Sequence, residues 1–242
     1  MDGRSNGGAA DAAPDLAAKL KRIRERIRAA AEKSGRTSEQ ITLVGVSKLK
    51  PAGAVRAALA AGLSDFGENY VQELVAKMDE VADPRARWHY IGSLQRNKCK
   101  FIVGRVQLIH SVDRVELARE IDKVASANGR PQDILLQIKI GGEESKSGVP
   151  LDDASAALAS MMELKSVRVK GFMTFPPLYE NLEDSRHDFR ELVKFQKTAQ
   201  KKYGGLETLS MGSSHDFEIA IEEGSTIVRV GTDIFGERPS QA

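Results

Sequence analysis

The chain has 242 residues, 41% hydrophobic and 29% charged, enough apolar content to bury a full core and too much to be compositionally disordered. Net charge is +2 from 36 basic and 34 acidic side chains, a balance that leaves no electrostatic footprint for nucleic acid. No apolar run reaches the length of a bilayer span, and a single cysteine, Cys99, excludes an internal disulfide and suits a reducing compartment.

Residues 1–14 are rich in Gly, Ala and Asp. They lack an apolar signal core, and Asp2 and Asp11, with Asp15 just beyond, argue against a transit peptide; the expectation is a disordered leader on a cytosolic protein, with residues 15–242 forming one domain. Leu16, Leu20, Ile23 and Ile27 recur at helical spacing, which predicts a helix over 15–34 whose basic residues, Lys19, Lys21, Arg22, Arg24, Arg26 and Arg28, form a solvated face. Short apolar, β-branched runs follow at 41–46, 63–66, 88–91, 106–110, 134–140, 167–172, 206–209 and 226–230. Helical patterns separate them near 52–61, 69–81, 95–103, 113–127, 151–162, 182–202 and 214–223. Eight strands and seven intervening helices predict a single (β/α)8 barrel of the α/β class with an extra N-terminal helix, and the length is close to the roughly 250 residues typical of that fold. A doubly wound open sheet is the rival, weakened by the lack of a G-x-G-x-x-G turn after the first strand. Trp88, Phe101, Phe172 and Phe235 are assigned to the core.

In a barrel the functional residues stand at the C-terminal ends of strands. Lys48 follows the first strand in VGVSKLKP (44–51), where a partly desolvated amine is nucleophilic toward an aldehyde; Lys50 is a nearby cation. Period two along the last strand places Ile227 and Arg229 on the inner face, and a guanidinium inside a barrel requires either a carboxylate or a ligand. Small residues follow the last two strands, Ser210-Met-Gly-Ser-Ser214 and Gly231-Thr232, with a helix expected to open at Ser214. Loops of that kind hold phosphate in barrels through free backbone N–H groups. Lysine, arginine and phosphate loops together suggest pyridoxal phosphate; a Schiff-base aldolase or phosphosugar isomerase without cofactor fits the same residues. His89 and His110 end consecutive strands with no further ligand at metal spacing.

The motifs VGVSKLKP, FGENYVQE (66–73), WHYIGSLQRNK (88–98), ESKSGV (144–149), GFMT (171–174), LSMGSSHDFEIAI (209–221) and GSTIVRVGTDIFG (224–236) resemble the pyridoxal phosphate homeostasis protein family, from about residue 16 to 238. The resemblance implies a fold-type III barrel with Lys48 as the Schiff-base lysine, Arg229 facing the pyridine nitrogen, and Ser214, Gly231 and Thr232 taking the phosphate. It further implies that Asn69, His89 and Met173 line the pocket, and it raises Lys146 above an ordinary loop lysine. The chain departs from the family in carrying Ser213 where methionine is usual and His215 after Ser214, which bears on the phosphate contacts.

An arginine at the ring nitrogen keeps that nitrogen unprotonated and the ring a weak electron sink. Racemases of this fold type also use a second proton-transfer group from an added β domain, whereas twelve residues, 231–242, follow the last strand here. The expectation is a non-enzymatic binding or delivery role in vitamin B6 homeostasis, as a monomer or weak homodimer, with pyridoxal phosphate and the apo-enzymes requiring it as partners. The alternative is an amino-acid racemase or related enzyme in which Tyr70, Tyr90 or His89 supplies the missing acid.

Overall fold

In a computed structural model, which describes residues 12–141, 147–177 and 179–237, the β-rich runs close into a parallel barrel. The strands are β1 (Thr42–Val46), β2 (Asp65–Glu68), β3 (Arg87–Tyr90), β4 (Leu108–Val112), β5 (Gln132–Lys139), β7 (Val167–Met173), β8 (Thr208–Ser210) and β9 (Ile227–Val230). They run in the order β4-β3-β2-β1-β9-β8-β7-β5, closed by pairing of β4 with β5; β6 (Val149–Pro150) adds a two-residue ribbon to the end of β5. The eight barrel strands match the eight sequence runs, each boundary shifted by no more than two residues.

Around the barrel lie α2 (Ala52–Ala60), α3 (Val71–Val81), the short α4 (Cys99–Ile102), α5 (Val115–Ala127), α6 (Ala154–Met162), α7 (Ser185–Tyr203) and α8 (Phe217–Glu222). A last turn, α9 (Thr232–Phe235), is not evident as a helix from the sequence pattern. The expected helix opening at Ser214 begins three residues later, at Phe217, because Asp216 accepts from both the backbone N–H and the hydroxyl of Ser213 and holds residues 213–216 as a turn.

The N-terminal helix, α1, runs from Ala12 to Lys33, so it starts inside the stretch read as leader; residues 1–11 of that stretch lie outside the described residues. Leu16, Leu20, Ile23 and Ile27 are buried against the outer layer, each contributing about 1.5–3 kcal/mol. The basic face is less solvated than expected. Arg26 pairs with Glu218 at 2.7 Å and Asp233 at 2.9 Å and covers the Phe217 ring, and Arg24 donates to the carbonyl of Gly62. These contacts fasten the first helix to the last two, beside β1 and β9.

Inside the barrel, side chains form layers. Val44, Leu108, Leu135, Met173 and Ile227 form an apolar layer, and a polar column rises beside it. Gly171 (φ +152°) sits at a register shift between β5 and β7, and a Cβ there would lie 1.9 Å from the carbonyl oxygen of Thr208, so only glycine closes this part of the wall. Trp88 and Phe172 are buried as expected, but Phe101 is 42% exposed and Phe235 half-buried. Helix α4 has a single turn facing the core, which Cys99 and Ile102 use; Phe101 is left outside under the ammonium groups of Lys98 and Lys100.

Candidate functional site

At the C-terminal mouth a cavity of about 230 Å³ is lined by Lys48, Lys50, Asn69, Phe175, Ser213, Ser214, His215, Arg229, Gly231 and Thr232, among others. A second hollow of about 300 Å³ adjoins it, sharing Asn69, Ile91 and Phe175 and adding Met173, Gln137 and Ser147. Strand ends thus gather residues from positions 48 to 232 within one mouth. A larger cavity, about 590 Å³, opens at the opposite end between α1 and the starts of β1, β2 and β3. Its charged lining includes ion-paired Asp65 and Arg87, and it holds neither Lys48 nor Arg229.

Arg229 is 3% exposed. One guanidinium nitrogen, Nη1, donates to Ser210 Oγ at 2.6 Å and the other, Nη2, to the carbonyl of Thr174 at 3.0 Å. Among the described residues no carboxylate pairs with it, and Nε is buried without a partner. Burial lowers its pKa to about 10, opposed by the field of Asp216, so the group is cationic at neutral pH. The ring of Phe175 covers the guanidinium, 4.0 Å from its carbon.

Lys48 stands in a braced loop. Its neighbour Leu49 has φ +61°, a costly conformation for a branched side chain, and its N–H donates to Glu73 Oε1 at 2.6 Å. Ser47 on the other side donates its hydroxyl to Glu68 Oε1 at 2.6 Å. Buried Lys77 closes the brace, its Nζ within 2.7 Å of Glu68, Glu73 and the carbonyl of Ser47. Burial pushes the Glu68 carboxyl upward more than the hydrogen bonds from Lys77 and Ser47 pull it down. The sequence reading missed Glu68, Glu73 and Lys77, although the i, i+4 spacing of Glu73 and Lys77 was visible.

At the other side of the cavity, the N–H of Gly231 donates to Ser214 Oγ at 3.2 Å, joining the loops after β8 and β9. The first N–H groups of α9, beginning at Thr232, have no intrahelical acceptor. Gly212 (φ +92°) brings the β8 loop against α8, where a Cβ would meet Ala220 Cβ at 2.7 Å. His215 lines the cavity beside Ser213 and Ser214. Lys50 donates to the carbonyl of Glu237 at 2.6 Å.

The expected pocket residues divide. Asn69 lines both hollows with Oδ1 buried and unpartnered, and Met173 lines the second. His89 does not line either hollow. It points into the barrel, Nδ1 2.9 Å from His110 Nε2 and Nε2 3.0 Å from Asp65 Oδ1, because its place on β3 falls a layer below the strand end. Both ring nitrogens of His89 and His110 are engaged in hydrogen bonds. Lys146 lies outside the described residues.

Fold and mouth together define a class: a parallel (β/α)8 barrel of the kind seen in alanine racemase. The Clostridium difficile alanine racemase complex with cycloserine superposes with a TM-score of 0.71 at 13% identity, over 90% of this chain and 61% of that one, a likeness of fold alone. At the level of sequence, residues 18–239 match the alanine racemase N-terminal domain family. The pyridoxal phosphate homeostasis protein of Aquifex aeolicus is 47% identical over 221 residues, 91% of this chain and 97% of that protein. Its Pseudomonas aeruginosa counterpart is 40% identical over 223 residues, 92% of this chain and 96% of that protein. PipY of Synechococcus elongatus, solved with PLP bound, superposes with a TM-score of 0.82 at 35% identity, over 91% of this chain and all of the other. The chain belongs to the pyridoxal phosphate homeostasis protein family.

Proposed function

We propose that this chain binds pyridoxal 5'-phosphate at the barrel mouth and maintains the intracellular supply of that cofactor without robust catalytic turnover. The observation that carries the reading is a buried, cationic guanidinium with an orphaned Nε–H in the same cavity as Lys48. A buried donor left without an acceptor costs about 1–3 kcal/mol, and an aromatic ring nitrogen is the acceptor that recovers it. When bound, pyridoxal phosphate supplies an aldehyde for a lysine amine and a conjugated ring that can accept electron density.

In this reading Lys48 is the covalent attachment point, Arg229 donates to the ring nitrogen, and Ser214, Gly231 and Thr232 take the phosphate, with Asn69 and Met173 flanking. Arg229, with a pKa of about 10, keeps its proton at neutral pH, so it donates a hydrogen bond without protonating the ring. The tyrosines offered as alternative acids support the same conclusion. Burial pushes the Tyr90 phenol up to about 12, and its hydroxyl is committed to the carbonyls of Asn69 and Ser93; Tyr70 is 53% exposed. We take residues 15–242 as one domain of a cytoplasmic protein, monomeric or weakly dimeric, that supplies apo-enzymes.

An absorption spectrum of the purified protein, then borohydride reduction and peptide mass mapping, tests the assignment. The expected adduct is on Lys48, and Lys48→Ala abolishes it while changing the melting temperature little. An adduct on another lysine, or sustained Lys48-dependent hydrogen exchange at amino-acid α-carbons at enzyme-like rates, refutes the reading.

A further inference from the structure

The polar column inside the barrel is continuous with the mouth. Beginning at Arg229, Nη1 donates to Ser210 Oγ (2.6 Å); Ser210 Oγ lies 2.8 Å from His110 Nδ1; His110 Nε2 lies 2.9 Å from His89 Nδ1; and His89 Nε2 lies 3.0 Å from Asp65 Oδ1. Arg87 closes the far end with Nε 2.9 Å from the same carboxylate oxygen. Every member is buried, except Arg87 at the opening of the opposite cavity.

With both histidines neutral, one assignment of donors satisfies every member of the line. Burial alone would raise the Asp65 carboxyl, but hydrogen bonds from His89 and Arg87 hold it below the ordinary range, so it is an acceptor. His89 therefore carries its proton on Nε2 and accepts at Nδ1, His110 carries its proton on Nε2 and accepts at Nδ1, and Ser210 turns its hydroxyl hydrogen toward His110. Burial and the neighbouring Arg229 and His89 press the His110 pKa far down, consistent with a neutral ring. Each donor points away from Arg229 and each acceptor toward it, and the line ends on a negative charge.

We infer that Asp65, His89, His110 and Ser210 are positioning residues that act as one directed hydrogen-bond line, fixing Arg229 as a cation with its Nε–H presented to the ring nitrogen of the cofactor. Apolar side chains fill the adjoining layer and would fill the column with no buried polar groups to satisfy. The line instead places three polar side chains between one guanidinium nitrogen and a carboxylate at the barrel's other end. With Nη1 held by Ser210 and Nη2 by the Thr174 carbonyl, the guanidinium plane is fixed, and a change at Asp65 is transmitted to the mouth. The inference rests on the reading that Arg229 faces the cofactor ring.

The test uses the full chain and pyridoxal phosphate, measuring equilibrium affinity, the absorption band of the bound form across pH, and the melting temperature without cofactor. His110→Leu interrupts the line and is expected to weaken binding by about tenfold, the worth of one hydrogen bond to a charged group, and to displace the band. His110→Gln, whose amide can accept from Ser210 and donate to His89, restores most of both. Ser210→Ala, a smaller change, reports the same loss if His110→Leu does not fold, and Phe172→Leu, outside the column, lowers stability without moving the band. Affinity and band unchanged in both His110→Leu and Ser210→Ala, whatever their stability, would overturn the inference while leaving Lys48 and Arg229 in place. Failure of the wild-type chain to form an adduct on Lys48 would instead remove the reading beneath it.

Discussion

Arg229 shows what one residue costs and what it implies. A guanidinium taken out of water without a carboxylate is held here by a hydroxyl and a carbonyl, neutral acceptors that recover only part of the lost hydration. A side chain so placed for stability alone would be replaced by an aliphatic residue at no loss. Arg229→Leu is therefore expected to weaken pyridoxal phosphate binding by about 10- to 100-fold while leaving the melting temperature of the cofactor-free protein equal or higher. Calorimetric titration and thermal melts check the two halves separately; a collapse of the cofactor-free fold would make Arg229 structural. The inward direction of Arg229 was legible from the alternation of β9, whereas its neutral partners, Ser210 and Thr174, come from other strands and carry no mark of the pairing in sequence.

Among the elements, the loop after β1 is controlled from α3. Two flanking residues of Lys48 are tied to Glu68 and Glu73, and Lys77 neutralises both carboxylates from beneath. Lys77→Met leaves two carboxylates facing each other in a buried site, which costs about 3–5 kcal/mol. Urea unfolding measures that loss, and the rate of adduct formation at Lys48, followed by absorbance, is expected to fall because Leu49 is no longer held at positive φ. An unchanged rate would show that the loop keeps its shape without the brace. Helix boundaries were readable where an apolar stripe defined them, as in α2 and α5. They slipped at α8 because the hydrogen bonds that Ser213 donates to Asp216 hold a turn ahead of the helix where the small residues signalled its start.

For the whole molecule, the same barrel that buries an apolar layer also holds a polar column with a cation at one end and a carboxylate at the other. Asp65 has a folded-state pKa below its ordinary value, so the stability it contributes is present above the unfolded value near 3.8 and is lost as pH falls through the folded value. Glu68, held upward, has the opposite sign: ionising it in the folded protein costs stability as pH rises through its unfolded value. The melting-temperature advantage of wild type over Asp65→Asn is thus expected to be full at about pH 7 and to shrink toward about pH 3. A constant difference across that range would mean that the carboxylate contributes no charge-dependent stability. At this scale α1 also acts on the whole, because Arg26 binds Glu218 and Asp233 and so joins the start of the chain to its last two helices.

The alternation of β-branched runs with amphipathic stretches indicated parallel βα units, since each strand must bury both faces and each helix one, and the count of eight runs with no G-x-G-x-x-G turn after the first favoured the closed barrel over an open sheet. The strand-end rule likewise picked out Lys48, Ser214, Gly231 and Thr232, and the alternation of β9 picked out Arg229, because a barrel's topology puts those positions at one mouth regardless of side-chain detail. Only the tertiary structure decided the rest: that His89 lies a layer below the mouth, that His110 belongs to a line ending on Asp65, and that Lys77 braces Lys48. Apart from the i, i+4 pair of Glu73 and Lys77, those pairings join residues 9 to 100 positions apart through layer depth and side-chain reach, and hydrogen-bond partners set by depth in a closed sheet leave no periodic signal along the chain.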